Sequence, residues 1–359
     1  MDFDEAAFAV AFDQAVGRCS ELSRADAAHF VERGYVVVRE AFSKDIAAAV
    51  REQAWSEIEG QHGVDRHDPS TWNRSFGFGG YVGYVRTQGS ERRFNLRTDA
   101  PRAFAAQADA VGGAERLPGR GESLAWRDSA IGNLAGPEGP AWQPPSPQQR
   151  GWHKDGWHFR HFLNSPEQGL LTVPIFSDIL PKSGGTFVAR DSIAPVARLL
   201  ASLPEGLHPD SVQGAGFLIP GLIEQCSDFV ELTGEAGDMV LLHPYMMHRV
   251  SANPTWRPRF IANAALVLAE PMHFDRPGGG YSLVELAVLR ALGCNRLDYK
   301  TTRRRLAVKP GPFRDADEAA RERRALRTQM RSLAKRGIVT PEWAPEQGYD
   351  SNRAQAGAP

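Results

Sequence analysis

The chain is short of cysteine. Cys19, Cys226 and Cys294 are its only thiols, and no two stand at CxxC spacing. That argues against a disulfide framework and against a cysteine-built zinc site, and it suits a reducing compartment. Net charge is nearly absent as well: 42 Lys and Arg against 43 Asp and Glu leave −1, so no global field draws the protein to nucleic acid or an anionic membrane. Long apolar runs are missing. The most apolar stretches, residues 35–38 and 260–268, fall far short of the roughly 20 residues of a membrane span. The opening MDFDEAAFAVAFDQAV is acidic where a secretory signal is basic. We expect a soluble, cytoplasmic protein with a small-molecule substrate, no nucleic-acid partner, no membrane and an open oligomeric state. Internal repeats and long low-complexity segments are lacking too. What remains, 42% hydrophobic and 24% charged residues in a chain of 359, is ordinary for one large core or two modest ones.

Local signals divide the chain. Ser23 is an N-cap candidate, Ala27, Ala28, Phe30 and Val31 form a short apolar helical face, and Gly34 stops it before the β-branched run Tyr35-Val36-Val37-Val38. A second helix is expected near Ser43, with Ile46, Val50, Ala54 and Ile58 at helical spacing. This opening unit should pack on the edge of a larger core. Residues 60–121, rich in Gly, Arg and aromatics, read as loops with one helix over 100–111. Five prolines in residues 137–149 forbid helix and central strand. From Trp152 onward short strand-like runs (170–180, 185–189, 214–219, 229–232, 239–242 and 259–268) alternate with turn signals, the pattern of a sandwich or barrel. A helical insert is expected at 193–203, further helices at 282–292 and 315–337, and a frayed tail after Ser351.

The residues that can carry chemistry begin at Trp152-His153-Lys154-Asp155-Gly156-Trp157. On a strand-like segment His153 and Asp155 project to one side and Lys154 to the other, toward solvent. One imidazole and one carboxylate on one face are two thirds of a 2-His-1-carboxylate site, which leaves positions open on Fe(II). Alone, a His near an Asp is more often a surface pair. Farther on, Gly237-Asp238 turns into an apolar strand ending in His243-Pro244-Tyr245-Met246-Met247-His248, with Asn253 five and Arg259 eleven residues beyond His248.

Together these residues resemble the phytanoyl-CoA dioxygenase family of Fe(II)/2-oxoglutarate oxygenases. The family's spacing is His-x-Asp, then Gly-Asp and an apolar strand, a distal His ten residues after that Asp, Asn at plus five and Arg at plus eleven. Asp238, His248, Asn253 and Arg259 match it, and residues 22–38 are similar to its N-terminal segment; the resemblance runs from about 22 to 268. It implies a mainly β fold with flanking helices around a double-stranded β-helix, or jelly roll. One oxygenase domain over 1–359 would comprise N-terminal helical and loop elements (1–121), the jelly-roll core (122–270) and C-terminal helices and tail (271–359). It further implies His153, Asp155 and His248 as iron ligands, Arg259 as the clamp on the distal carboxylate of 2-oxoglutarate, and O2 as oxidant, with succinate and CO2 released as an unactivated C–H bond is hydroxylated. The chain departs from the pattern twice. Val250 stands where members often carry Ser as a second co-substrate contact, and Arg190-Asp191-Ser192-Ile193 replaces a Pro-Gly-Ser-His turn.

Each candidate has a plainer competitor. His243 ends an apolar run, where a hydrogen-bonded core histidine is ordinary, and spacing favours His248. Arg257 precedes Pro258 and belongs in the turn, which leaves Arg259 as the clamp. His158 and His161 read as pocket walls. Lys182-Ser183-Gly184-Gly185-Thr186 lacks a following P-loop helix, so it reads as a β-turn; Thr186, opening the next strand inward, is a candidate contact to 2-oxoglutarate. Arg303-Arg304-Arg305 and the Arg-rich helix after them are interleaved with acids, and Leu326, Met330 and Leu333 make an amphipathic docking helix. Halogenation needs Gly or Ala at the carboxylate position, so Asp155 sets it aside; desaturation, epoxidation and ring formation remain open. A non-catalytic jelly-roll binding protein and a cupin-like zinc hydrolase are the alternatives from other classes. Residues 72–97 and 193–209 are expected to form the lid and pocket wall.

Overall fold

The computed structural model describes residues 3–337 apart from 79–80, 135, 137–138, 157, 209–220, 306 and 308–315. The expected strand at 214–219, Trp157, the Met330 side chain, the tail after Ser351 and parts of the proline-rich connector lie outside the described residues. Helices α1 (Glu5–Val16) and α2 (Arg24–Arg33), strand β1 (Tyr35–Val38) and α3 (Lys44–His62) open the chain. Strands β2 (Tyr84–Arg86) and β3 (Arg93–Asn95) lead to α4 (Leu96–Asp99), α5 (Pro101–Val111), β4 (Ala125–Arg127) and β5 (Ile131–Asn133). Then come β6 (Leu170–Pro174), β7 (Thr186–Ala189), α6 (Ile193–Ala201), β8 (Phe229–Glu231), β9 (Met239–Leu242), β10 (Met247–Val250), β11 (Arg259–Ile261) and β12 (Ala264–Leu266). Helices α7 (Leu283–Leu292) and α8 (Ala316–Lys335) follow.

The helix boundaries follow their caps. Ser23 and Asp26 form a capping box on α2, and left-handed Gly34 ends it. Ser43 caps α3, and Ser282 with Glu285 caps α7. The sheet core is antiparallel among the described strands, with open rather than closed sheets flanked by helices: β1-β9-β6-β12 make one ladder, β10-β7-β8 a second and β11-β5-β2 a third. As expected, β1 adds the opening unit to the edge of the core, pairing Tyr35 with Leu242.

Alternation along these strands creates an interior. Leu171, Val173, Val240 and Leu242 from the first ladder meet Val188 from the second and Ile131 and Ile261 from the third in one apolar cluster. The opposite faces, through Leu170, Met239 and Leu241, pack on the helices. By register, His248 shares the interior face with Val188, and Arg259 and Tyr84 share it with Asn133.

Three expectations are revised. The run at 259–268 is two strands: β11 pairs with β5, and β12 leaves it for β6, with a break at Ala262 and Asn263. Residues 60–121, read as loops with one helix, also hold two three-residue strands, β2 and β3, that their composition hid. Within the expected lid at 193–209, the expected helix is present as α6, and it buries Ile193, Val196, Leu199 and Leu200 in the core that also holds α7. The docking role of α8 does hold, since Leu326 and Leu333 are buried and Gln329 donates to the Gly206 carbonyl. No helix among the described residues is long and apolar enough to cross a membrane.

Asp238 fastens the entry of β9. Its carboxylate accepts from Arg39 Nη1 at 2.6 Å, Glu40 N at 3.0 Å and Glu235 N at 2.9 Å. Arg39 is exposed, so most of the value lies in the two backbone donors that would otherwise go unpaired. Asp238→Ala is expected to lower the unfolding free energy by about 2–4 kcal/mol in a denaturant titration. A loss within experimental error of zero would show that the turn holds without it.

Candidate metal centre

His153 does not sit in a continuous strand. It forms an isolated antiparallel bridge with His248, each backbone N–H donating to the other's carbonyl at 3.0 and 2.9 Å. The bridge sets the two imidazoles side by side, with ring centroids 4.4 Å apart. His248 is carried on β10, which is held by β7 and by the Ser192 hydroxyl accepting from Met247 N at 2.9 Å. The departure from the family's turn at 190–193 therefore fastens β10. Behind His153, Trp152 is fully buried against Phe229 and donates to the Ser146 carbonyl. Gly156 follows Asp155 at φ +120°, where a Cβ would stand 2.5 Å from the His161 ring, so only glycine lets the chain turn back here.

Each imidazole is oriented by a carbonyl. His153 Nδ1 lies 2.8 Å from Gly151 O, and His248 Nδ1 3.1 Å from Met246 O. A carbonyl only accepts, so both Nδ1 atoms carry a proton, and in the neutral imidazole each Nε2 presents a lone pair. Asp155 Oδ1 lies 3.3 Å from His153 Nε2 and 3.7 Å from His248 Nε2. The ligand atoms of His153, Asp155 and His248 all fall within 4.8 Å of one another. His248 Nε2 is buried and meets no hydrogen-bond partner among the described residues. Three lone-pair donors around one point, one of them orphaned, fit a metal cation.

The charges respond to this crowding. Burial would raise the Asp155 pKa, but the two imidazoles and the Asn263 amide more than offset it and hold the carboxyl well below its usual range. Burial disfavours a charged His153, yet its bond to Asp155 prevails and its pKa is raised. His248, buried and beside His153, is lowered to about 4.

Arg259 is 1% exposed. Its Nε donates to Gly184 O at 2.8 Å and its Nη1 to Ile131 O at 3.3 Å, and its guanidinium lies 5.7 Å from the centre of the Tyr84 ring. Among the described residues it forms no ion pair, and burial lowers its pKa. Gly184 approaches at φ +83°, where a Cβ would come within 2.7 Å of Asn133 and 2.8 Å of Asn253. Asn253 bonds the Asn133 and Arg257 carbonyls, and Asn133 bonds the Ser251 carbonyl. The matched asparagine is thus a strut that holds the turn beside Arg259. Arg257 is exposed in that turn. Thr186, half-buried, stands opposite Val250 on the face that carries His248. Ser251 points the other way, to Glu231 at 2.8 Å, and does not replace the missing serine.

One expectation fails outright. Lys154 is not in solvent: it is 4% exposed, and its ammonium donates to the Asp155 carbonyl at 3.0 Å and to His161 Nδ1 at 2.7 Å. Phe159 and Tyr245 pack beside it, and burial lowers its pKa to about 7. The side of the segment away from the ligands is core. His161 accordingly braces Lys154 and Gly156 and is not a pocket wall. Sequence reasoning also missed Asn263, which donates to Asp155 Oδ2 at 2.8 Å, and Tyr84 beside Arg259; an isolated Asn after a strand carries no signal of this kind.

No protein-family model matches the chain, and neither does any curated protein. Among solved structures it is similar to the non-heme alpha ketoglutarate dependent carbocyclase SnoK from nogalamycin biosynthesis (16% identity over 72% of this chain and 87% of that one, TM-score 0.37). It is similar also to EctD from S. alaskensis with bound Fe (18%, 80% and 89%, TM-score 0.39). A third is the putative oxidoreductase from Salmonella typhimurium LT2 (14%, 79% and 85%, TM-score 0.42). Likenesses this distant assign neither chemistry nor substrate.

His243 serves as the contrast to His248. It is buried, its Nδ1 accepts from Tyr245 N at 3.1 Å and its Nε2 donates to Val284 O at 3.3 Å, the core histidine expected. Burial pushes its pKa from 6.5 down to about 3. Its folded pKa is depressed, so its contribution to stability is whole above pH 6.5 and is lost as pH falls from there toward 3. The slope is at most about 1.4 kcal/mol per pH unit for one proton. In the metal-free protein, His243→Gln should reduce the steepness of acid destabilisation between pH 6 and 4 by one proton's worth. Equal slopes in urea titrations would show that His243 titrates normally.

Proposed function

We propose that the chain is an Fe(II)- and 2-oxoglutarate-dependent oxygenase of the phytanoyl-CoA dioxygenase-like kind. It hydroxylates an unactivated C–H bond of a small molecule, with release of succinate and CO2. The observation that carries this reading is the convergence of His153 Nε2, Asp155 Oδ1 and His248 Nε2 on one point. A set of two imidazoles and one carboxylate covers one face of an octahedron and leaves the other open. Iron with 2-oxoglutarate and O2, when bound there, supplies the oxidising power for the C–H bond.

The protein's own part is holding and shielding. The Gly151 and Met246 carbonyls keep the imidazoles in the ligating tautomer. Arg259, a buried cation that hydrogen-bonds only neutral groups among the described residues, takes the distal carboxylate of 2-oxoglutarate; a planar fork on a strand suits that task. Thr186 on the His248 face adds a hydroxyl within the same wall. The apolar interior of Ile131, Val188 and Ile261 excludes water from the reacting centre. A zinc hydrolase with the same three ligands would leave Arg259 without a task. Three free cysteines support a cytoplasmic setting.

The test is succinate formation from 2-oxoglutarate by the Fe(II)-loaded chain, with calorimetric binding of 2-oxoglutarate beside it. Wild type should turn over and Asp155→Ala should not. Arg259→Gln should raise the 2-oxoglutarate KM about a hundredfold, since losing one partner of a buried charge pair costs ~3 kcal/mol. Thr186→Val should cost less than about tenfold, the worth of one neutral hydrogen bond. A wild-type chain that binds Fe(II) but neither binds nor consumes 2-oxoglutarate would overturn the proposal.

A further inference from the structure

We propose that Asn263 is a positioning residue that decides which oxygen of Asp155 meets the metal and keeps that ligand monodentate. The inference rests on the triad being a metal site. Asn263 stands at the break between β11 and β12, where the chain leaves one ladder for another. Its Nδ2 donates to Asp155 Oδ2 at 2.8 Å. A carboxylate only accepts, so the NH2 end of the amide must face it, and chemistry fixes the orientation of this side chain. The other carboxylate oxygen, Oδ1, is the one nearest both imidazoles, at 3.3 and 3.7 Å. The carboxylate is therefore divided, with one oxygen for the metal and one for the amide.

The division matters because the carboxylate torsion is soft and two-fold. The Asp155 backbone is pinned by Lys154, which donates to its carbonyl at 3.0 Å, so the torsion is the freedom left over. Released from Asn263, the carboxylate can turn both oxygens to the metal and fill a position that must stay open for chemistry. Asn263 makes no other side-chain hydrogen bond among the described residues, and its Oδ1 is buried without a partner. A polar group in that setting is costly, and its one bond, to Asp155, accounts for its presence.

The test uses the full chain loaded with Co(II), read by calorimetric affinity and by the visible spectrum of the bound ion. Asn263→Ala should weaken Co(II) binding about 10- to 100-fold, as for loss of an outer partner to a metal ligand, and should change the spectrum as the coordination number rises. Asn263→Asp keeps the shape but offers no donor at the amide position. It should lose at least as much, and it gives the same comparison should the alanine variant fold poorly. With Fe(II), kcat for succinate formation should fall while the 2-oxoglutarate KM stays within about threefold, because Arg259 and two open positions remain. If wild type and both variants bind Co(II) alike with one spectrum, the role given to Asn263 is wrong and the metal centre stands. If wild type binds no metal, the centre falls and this inference with it.

Discussion

Two backbone hydrogen bonds, from His153 N to His248 O and from His248 N to His153 O, hold together parts of the chain nearly a hundred residues apart. The rest of the centre depends on that bridge. It places one histidine on β10, the edge strand of the β10-β7-β8 ladder, and hangs the other from that edge, so the second inherits the rigidity of the first. The carbonyls of Gly151 and Met246 then remove one nitrogen from each ring and aim the other inward. Asp155 arrives two residues later with its own lone pairs. Without a cation, a protonated His153 and the Asp155 carboxylate attract one another, which is why His153 is pushed up and Asp155 down. A metal that enters must displace the proton that the pair holds, so metal binding should couple to pH and to stability.

Arg259 poses the opposite problem at another place on the same interior face. A buried guanidinium normally has an acid beside it, because desolvating a charge is expensive. Here it has carbonyl oxygens and the Tyr84 ring. The acid nearest in the sheet, Glu231, is engaged by Lys182 N, Gly185 N and Ser251 Oγ, and it shapes the turn that offers the Gly184 carbonyl to Arg259. The protein thus uses its carboxylate to build the cradle, and among the described residues it leaves the cation without an ion pair, with Glu231 acting on it only at a distance. A ligand that brings a carboxylate to Arg259 and further oxygens to the triad would satisfy both ends at once.

Much of this was readable from residue order. Capping residues marked α2 and α3, apolar runs marked β6, β7 and β9, fixed offsets singled out His248 over His243, and Pro258 set Arg257 in the turn and left Arg259 on the strand. The strands β2 and β5 were not readable: three residues such as Ile131-Gly132-Asn133 have no period to detect, and their conformation comes from pairing with β11. That loss mattered, since Arg259 is oriented from those two strands. Asn263 was invisible for a related reason. Its role exists only in three dimensions, against a residue more than a hundred positions away.

Lys154 shows where period-two reasoning stops. Alternation correctly set it opposite His153 and Asp155. It says nothing about what lies on each side. The far side of residues 153–155 is lined by Phe159, His161 and Tyr245, so the lysine is enclosed and its ammonium holds the Asp155 carbonyl. Ser251 likewise faces a carboxylate that shapes the Arg259 cradle. In both cases a side chain that points away from the centre is spent on fixing backbone beside it. The environment of the far face, which sequence does not encode locally, therefore sets how firmly the near face is held.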